Sequence, residues 1–428
     1  MTSAFSKKDF LATKWFTLEK AIQMITGIFI IPKVFNLLGT VDVGKLKFVE
    51  SVLGMLTPVF FLGLSSICIR EIIFNPKRTS FILITAFYLR LFSWLITFLG
   101  ILIYIIFSND EKLNTLYLIV ALSYLFKLTD LFEYFLIAKK WTKVIFTTKI
   151  TSLLIVLGLQ YYGVKNELSV MYFALVLTFD FVLQGLLYFF ILNHLKAFNI
   201  QKTSFSLPYA KQLLNMSFPL IITNTLVMLY ISIDEMFLNH FNGDHANGVF
   251  GSVQFLVINL TWNIGFAIIN ALFPSLAESF NTNITIYIKK IKYLLVYAAG
   301  LGIIIGLFYS LFGDYIIDTY FSNGYSEAKP ALKIFCWAPL FIFIGMIYEK
   351  HLIITDRLKN NVYRFLLGCV INIILCYSLI PFLQITGAAI AVLISHFITN
   401  IFYVFLDKKT RSKLSILITP ANQLITIK

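Results

Sequence analysis

The chain has 428 residues, of which 59% are hydrophobic and only 13% charged, with a formal net charge of +14. Soluble domains carry about 25% charged residues, so this chain has too few to cover a water-exposed surface, and a globular cytosolic enzyme is excluded. The basic excess does not point to nucleic acid, because the lysines punctuate apolar runs instead of forming a patch with interleaved aromatics.

The first ten residues are polar and basic, and no small-residue cleavage site follows a short apolar core, so the first helix is expected to be retained. From there, apolar segments at 15–38, 46–69, 80–106, 113–138, 142–163, 168–192, 211–239, 247–276, 290–313, 330–353, 361–381 and 384–406 each approach the roughly twenty residues that cross a bilayer as a helix. Short breaks rich in Gly, Asn, Asp and Pro separate them. Assigning the breaks alternately to two sides puts 22 basic residues on one side and only Lys45, Lys112, Lys165 and Lys329 on the other. The basic side is expected to be cytoplasmic. The reading is an all-α polytopic membrane protein with about twelve transmembrane helices and both termini in the cytoplasm.

The chain also repeats. Leu37-Leu38-Gly39-Thr-Val-Asp-Val-Gly44 closes the first helix, and Phe241-Asn242-Gly243-Asp-His-Ala-Asn-Gly248 closes the seventh, each ahead of another long apolar run. Six helices per half give the copies the same orientation, the pattern of parallel repeats around a central cavity. The expected organisation is an N-terminal six-helix lobe over 1–195, a cytoplasmic linker over 196–210, and a C-terminal six-helix lobe over 211–428 ending in a short basic cytoplasmic tail.

Candidate functional residues are the ionisable groups inside the spans: Arg90, Lys127, Asp130, Lys149 and Asp180. Each costs about 2.5–3.5 kcal/mol at a helix centre in lipid, so they must face one another or water. Three bases against two acids suggest a cationic lumen in which Arg90, Lys127 and Lys149 bind an anionic substrate, with Asp130 and Asp180 balancing charge or coupling to ions. At 100° per residue Tyr117, Tyr124 and Tyr134 share the Lys127 face, an aromatic lining. The alternative is that the charges pair and lock the helices. Asp234, beside Glu235 near the outer end of the seventh helix, is a further candidate for ion coupling. Glu133 points away from the Lys127 face in this phase, and Lys20 and Lys350 can snorkel from helix ends, so none of these receives a role.

Other chemistry is not signalled. Residues 39–45 approach a phosphate-binding loop, but Leu46 stands where Ser or Thr must hold Mg²⁺. The four cysteines lie in apolar runs, His240 and His245 share a polar turn, and no metal site or cofactor is expected. Coupling to a H⁺ or Na⁺ gradient is left open.

A set of short stretches spread over most of the chain carries a family resemblance: Ile31-Pro32 to Gly39 and Gly44; Leu62-Gly63-Leu64 to Arg70-Glu71; Ser217-Phe-Pro219; Tyr230 to Asp234 with Gly243 and Gly248; Ala271-Leu-Phe-Pro274; Ala331 to Ile334; Asn372; Leu379-Ile-Pro381; and Gly387-Ala-Ala-Ile-Ala391. In this order they resemble the polysaccharide transporter, or O-antigen flippase, family of the multidrug/oligosaccharidyl-lipid/polysaccharide (MOP) exporter superfamily. One departure is Cys376, where relatives often carry a second Asn. The resemblance implies two six-helix lobes that open alternately to either side, and translocation of undecaprenyl-pyrophosphate-linked oligosaccharide, an O-antigen or capsule repeat unit, across the bacterial cytoplasmic membrane. It implies a transporter and not an enzyme, working amid membrane lipid beside a polysaccharide polymerase or glycosyltransferases. Two readings compete with it: a drug or cation antiporter of the same superfamily, and a membrane-embedded polymerase or glycosyltransferase.

Overall fold

The structure, a computed structural model, describes residues 7–194, 205–355 and 357–407, and all regular structure among them is helical. It forms two compact units, Met1–Gly251 and Ser252–Lys428. The first contains α1 (Lys7–Phe61), α2 (Leu64–Phe74), α3 (Thr79–Phe107), α4 (Glu111–Phe126), α5 (Asp130–Ala138), α6 (Thr142–Lys165), α7 (Val170–His194) and nearly all of α8 (Leu207–Gln254). The second contains α9 (Leu260–Thr282), α10 (Ile284–Tyr320), α11 (Ala328–Phe335), α12 (Ala338–Ile354), α13 (Leu358–Phe397) and α14 (Tyr403–Leu406). Most of the expected linker, residues 195–204, and the basic tail from 408 onward lie outside the described residues.

The outward faces of the helices are apolar, and polar and charged side chains are among the buried ones. On α3 the exposed residues Phe92, Ile96, Leu99, Ile103 and Ile106 recur every three or four positions, while Thr85, Arg90 and Ser93 are buried. A helix in water shows the opposite pattern. The outward faces therefore meet hydrocarbon, and the chain is a multi-pass membrane protein. Among the described residues nine helical stretches are long and apolar enough to cross a bilayer.

Three of these stretches, Leu18–Phe74, Leu207–Gly265 and Lys359–Leu406, run 57, 59 and 48 residues, more than twice what one crossing needs. Each folds back on itself. In the third, Ser395 Oγ donates to Asn372 Oδ1 at 3.2 Å although the two are 23 residues apart, about 35 Å along a straight helix; the bend falls at Gln384. In the first, Glu19 and Lys127 line one cavity, and the Phe61 ring lies 5.7 Å from Lys127 Nζ. A straight α1 would hold Glu19 and Phe61 about 60 Å apart. In the second, Glu235 accepts the Ser51 hydroxyl while Gly251 packs against Lys47, one turn from Ser51, so Glu235 and Gly251 sit at similar height. With two legs per hairpin, the nine stretches hold twelve helical legs.

The first two hairpins turn in the same way. Gly39 (φ 71°, ψ 170°) and Gly243 (φ 79°, ψ −174°) share a backbone region that only glycine occupies freely. The helix starts that follow cross in reciprocal contact. A Cβ on Gly44 would sit 1.8 Å from the Asp244 carbonyl oxygen, and one on Gly248 would sit 1.8 Å from that of Thr40. Asn247 Nδ2 donates to the Gly44 carbonyl at 3.0 Å, and Thr40 Oγ1 lies 2.7 Å from His245 Nδ1. These contacts carry the first compact unit beyond α7 and through the α8 turn.

Candidate functional site: a charged cavity in the first unit

The leg built from α4 and α5 is not one continuous α-helix. Residues Lys127–Thr129 form a tighter turn between them, and this break opens onto a cavity of about 260 Å³. Its walls are Glu19, Lys20 and Gln23 of α1, Lys127, Asp130 and Glu133 at the break, Lys149, Leu153 and Val156 of α6, and Asp180, Phe181 and Gln184 of α7. Lys149 Nζ donates to Glu133 Oε1 at 2.8 Å. Ser152 Oγ donates to Asp180 Oδ1 at 2.5 Å. Lys20 Nζ donates to Gln23 Oε1 at 2.9 Å, and Gln23 Nε2 to Glu19 Oε1 at 3.2 Å.

Lys127 is held differently. Its ammonium lies 4.5 Å from the centre of the Phe181 ring, 5.2 Å from Tyr124 and 5.7 Å from Phe61, and among the described residues no acceptor stands within hydrogen-bond reach. Three ring faces stabilise the charge without saturating its N–H donors, so Lys127 can still take a hydrogen-bonding anion. Asp130, one turn on, feels the charges of both Arg90 and Lys127 and has no direct ion pair among the described residues.

The structure brings Lys127, Asp130, Lys149 and Asp180 together, as the cost of burying charge in lipid requires, and it corrects the sequence reading in four places. The cavity has no cationic surplus: Lys20, Lys127 and Lys149 face Glu19, Asp130, Glu133 and Asp180. Glu133, expected to point away, is the partner of Lys149. Arg90 does not line the cavity; it is fully buried one layer behind, with Nη2 donating to the Lys127 carbonyl at 2.9 Å and its guanidinium 4.4 Å from the Phe61 ring. Its hydrogen bond ties it to the break, and it is not among the cavity walls.

The expected aromatic face also divides. Tyr117 is 3% exposed in an apolar core against Tyr104. Tyr134 lies 5.8 Å from the Arg90 guanidinium, and Tyr124 stacks on Phe60 and lies 3.2 Å from the Thr57 hydroxyl. None of the three is among the cavity walls, although Tyr124 helps to hold Lys127. Asp234 lies apart on α8, buried beside Glu235. Glu19 and Lys20 had no signal in the sequence beyond their place in the first apolar run.

This helical architecture is the fold of the MOP superfamily. The chain is similar, at a TM-score of 0.68 and 14% identity over 98% of this chain and 97% of that one, to the inward-facing conformation of a multidrug resistance MATE family transporter of the MOP superfamily. It is similar at a TM-score of 0.73 and 14% identity to the lipid II flippase MurJ in an inward closed conformation, covering 96% of this chain and 93% of that one. The family follows from the sequence itself. Residues 12–280 match the model of the polysaccharide biosynthesis protein family, and the chain belongs to that family, which bears out the resemblance read from its motifs. A relative, the capsular polysaccharide biosynthesis protein CapF of Staphylococcus aureus, is 25% identical over 270 residues. An uncharacterized membrane protein of Methanocaldococcus jannaschii is 26% identical over 189 residues. The matched regions take in 58% and 43% of this chain, and 66% and 36% of those relatives' lengths.

Proposed function

We propose that this protein is a flippase that moves a lipid-linked oligosaccharide, an O-antigen or capsule repeat unit on undecaprenyl pyrophosphate, across the bacterial cytoplasmic membrane by alternating access. On this reading each of the twelve helical legs is one crossing, both termini are cytoplasmic, and a polysaccharide polymerase or glycosyltransferases act before and after it. Family membership and the capsular relative support the substrate class. The observation that carries the site is Lys127: an ammonium facing a membrane-embedded cavity with no acceptor of its own among the described residues, the kind of group that takes a phosphate oxygen.

The other charges have supporting roles. Lys149 is occupied by Glu133, so it adds less to anion binding than Lys127 does. Asp130 and Asp180 keep the cavity close to neutral while it is empty. A proton or cation taken up there would raise its affinity for an anion, which is how ion coupling could act through these residues. Asp234, beside Glu235, is a separate candidate for the same coupling.

A second reading, a drug or cation antiporter, draws on the four carboxylates of the cavity, which suit a cationic substrate better than the sequence suggested. One experiment separates the two. Deleting the gene in its host and restoring it as wild type, Lys127→Arg or Lys127→Gln, at matched protein levels, tests surface polysaccharide display. The flippase reading expects display to vanish in the deletion, to return with wild type and largely with Arg, and to stay absent with Gln. Normal display in the deletion strain, with altered resistance to cationic drugs, would move the assignment to the antiporter.

A further inference from the structure

The second unit holds a cavity of different character. It is also about 260 Å³, lies among α9, α10 and α12, and is walled by apolar or small side chains, Gly265, Leu276, Tyr297, Ala298 and Phe343 among them, with one charged group, Lys350. Ala298 is small, and Gly265 lets Met346 and Phe343 pack close, since a Cβ there would sit 2.6 Å from the Met346 sulfur. Its α10 side opens outward, since Tyr293, Val296 and Tyr297 are 55%, 70% and 72% exposed, and on a membrane helix that face meets lipid.

Lys350 stands at one end. Its Nζ lies 5.3 Å from the Phe273 ring, and among the described residues it has no carboxylate partner. The neighbouring Glu349 is turned to Arg364, 3.8 Å away. Tyr287 Oη lies 2.8 Å from His351 Nδ1, which fixes the start of α10 beside the end of α12. The same end therefore carries Lys289, Lys290 and Lys292; Lys290 Nζ donates to the Ser275 carbonyl at 3.0 Å. Glu278 near the end of α9, Glu349, and Asp407, which accepts from the Tyr348 hydroxyl at 2.8 Å, are acidic groups near this end. An apolar slot beneath a cluster of ammonium groups matches one kind of molecule, a chain amphiphile with an anionic head.

We propose that this slot binds an anionic glycerophospholipid, with one acyl chain in the cavity and its phosphate against Lys350. The size of the slot favours a single unbranched acyl chain over a long branched polyprenyl tail, and its position at a basic helix end favours the leaflet on that side, where lysines attract anionic lipid. The proposal is independent of what the protein transports. Lys350 is then a lipid anchor and not merely a residue snorkelling to the interface.

The test is native mass spectrometry of the full chain released from detergent in phosphatidylglycerol or phosphatidylcholine of matched acyl composition. The wild type should retain phosphatidylglycerol about fivefold over phosphatidylcholine, the effect of about one lysine. Lys350→Gln should bring that ratio close to one with a lipid still bound, and Ala298→Phe, which fills the slot, should lose one bound lipid of either kind. An unchanged ratio in Lys350→Gln would overturn the proposal even if Ala298→Phe fails to fold. Displacement of phosphatidylglycerol by equimolar undecaprenyl phosphate would overturn it too, assigning the slot to the polyprenyl chain.

Discussion

Substituting Gly44 with alanine tests the crossing of the first two hairpins. The new Cβ would sit 1.8 Å from the Asp244 carbonyl oxygen and 2.9 Å from the Gly248 nitrogen, where ordinary contact begins at 3.4 Å. Both atoms are backbone, so no side chain can swing aside, and the two helix starts must part by well over an ångström. Parting breaks the Asn247 bond to the Gly44 carbonyl and the Thr40–His245 contact, worth about 1 kcal/mol each. Residual overpacking adds about 1–3 kcal/mol, and alanine returns about 1 kcal/mol of helix propensity. The net is a loss of about 2–4 kcal/mol for the crossed arrangement, roughly a 30- to 800-fold fall in its population. A Thr40→Cys, His245→Cys pair in native membranes reads this out as the rate of cross-linking by a short bis-thiol reagent, and the native cysteines are buried. The rate should fall by at least fivefold in Gly44→Ala and again in Gly248→Ala, with little further loss when both are present, because both open the same contact. Unchanged cross-linking in both single variants would refute the argument that backbone proximity holds this crossing.

Three further outcomes follow from the cavity and the loops. Lys149→Gln leaves Glu133 without its partner and should lower the thermal stability of purified protein by about 1–3 kcal/mol, with Glu133→Gln added in the double variant restoring most of it; equal stability of single and double variants would show that the pair is not coupled. Arg90→Gln removes the donor to the Lys127 carbonyl and should impair transport as strongly as Lys127→Gln without abolishing expression; full activity would separate Arg90 from the site. Outside the membrane, Asp110 accepts from Lys45 Nζ and from the Leu113 N–H, which together hold its carboxyl below the usual range, the Lys45 bond foremost. Its stabilising share is complete above the ordinary carboxylate value near 3.9 and disappears as pH falls through the lowered one. The melting-temperature difference between wild type and Asp110→Asn should therefore stay constant from pH 7 to about 5 and shrink below about 4.

The helices were legible because hydrocarbon imposes one rule over whole segments. The turns at Gly39 and Gly243 fell between expected helices, marked by Gly39-x4-Gly44 and Gly243-x4-Gly248, and the third fell at Gln384, the first residue of the expected twelfth helix. The charged cavity was half legible. Burying Lys127, Asp130, Lys149 and Asp180 in lipid is costly enough to demand that they meet, and they do. The sign of the cavity changed because Arg90 lies behind its wall, Glu19 joins the wall, and Glu133 turns inward where helical phase does not extend across residues that are not α-helical. In the tighter turn at Lys127–Thr129 each residue advances about 120° instead of 100°, so three of them add roughly 60°. Glu133 then moves from about 120° away from Lys127 to about 60°, onto the cavity side. Nothing local in Lys127-Leu-Thr129 announces such a turn. The misplaced Tyr117 has another cause: helical phase names a face, and only the neighbouring helices decide whether that face meets a cavity or an apolar core.

That change of sign bears on how an anion could be bound and then released. A cavity lined by three unpaired cations would hold a pyrophosphate tightly and keep it, since a ligand bound equally in every state shifts no equilibrium. In the present arrangement Lys149 is taken by Glu133, Asp180 by Ser152, and only Lys127 is held by ring faces that an anion can outcompete. Affinity then depends on whether the carboxylates are ionised or occupied, and that occupancy can differ between the two sides of the membrane. Pairing of charges and a functional site are thus compatible. On the proposed function, Lys149 and Glu133 fix the walls and Lys127, the cation left over, takes the anion.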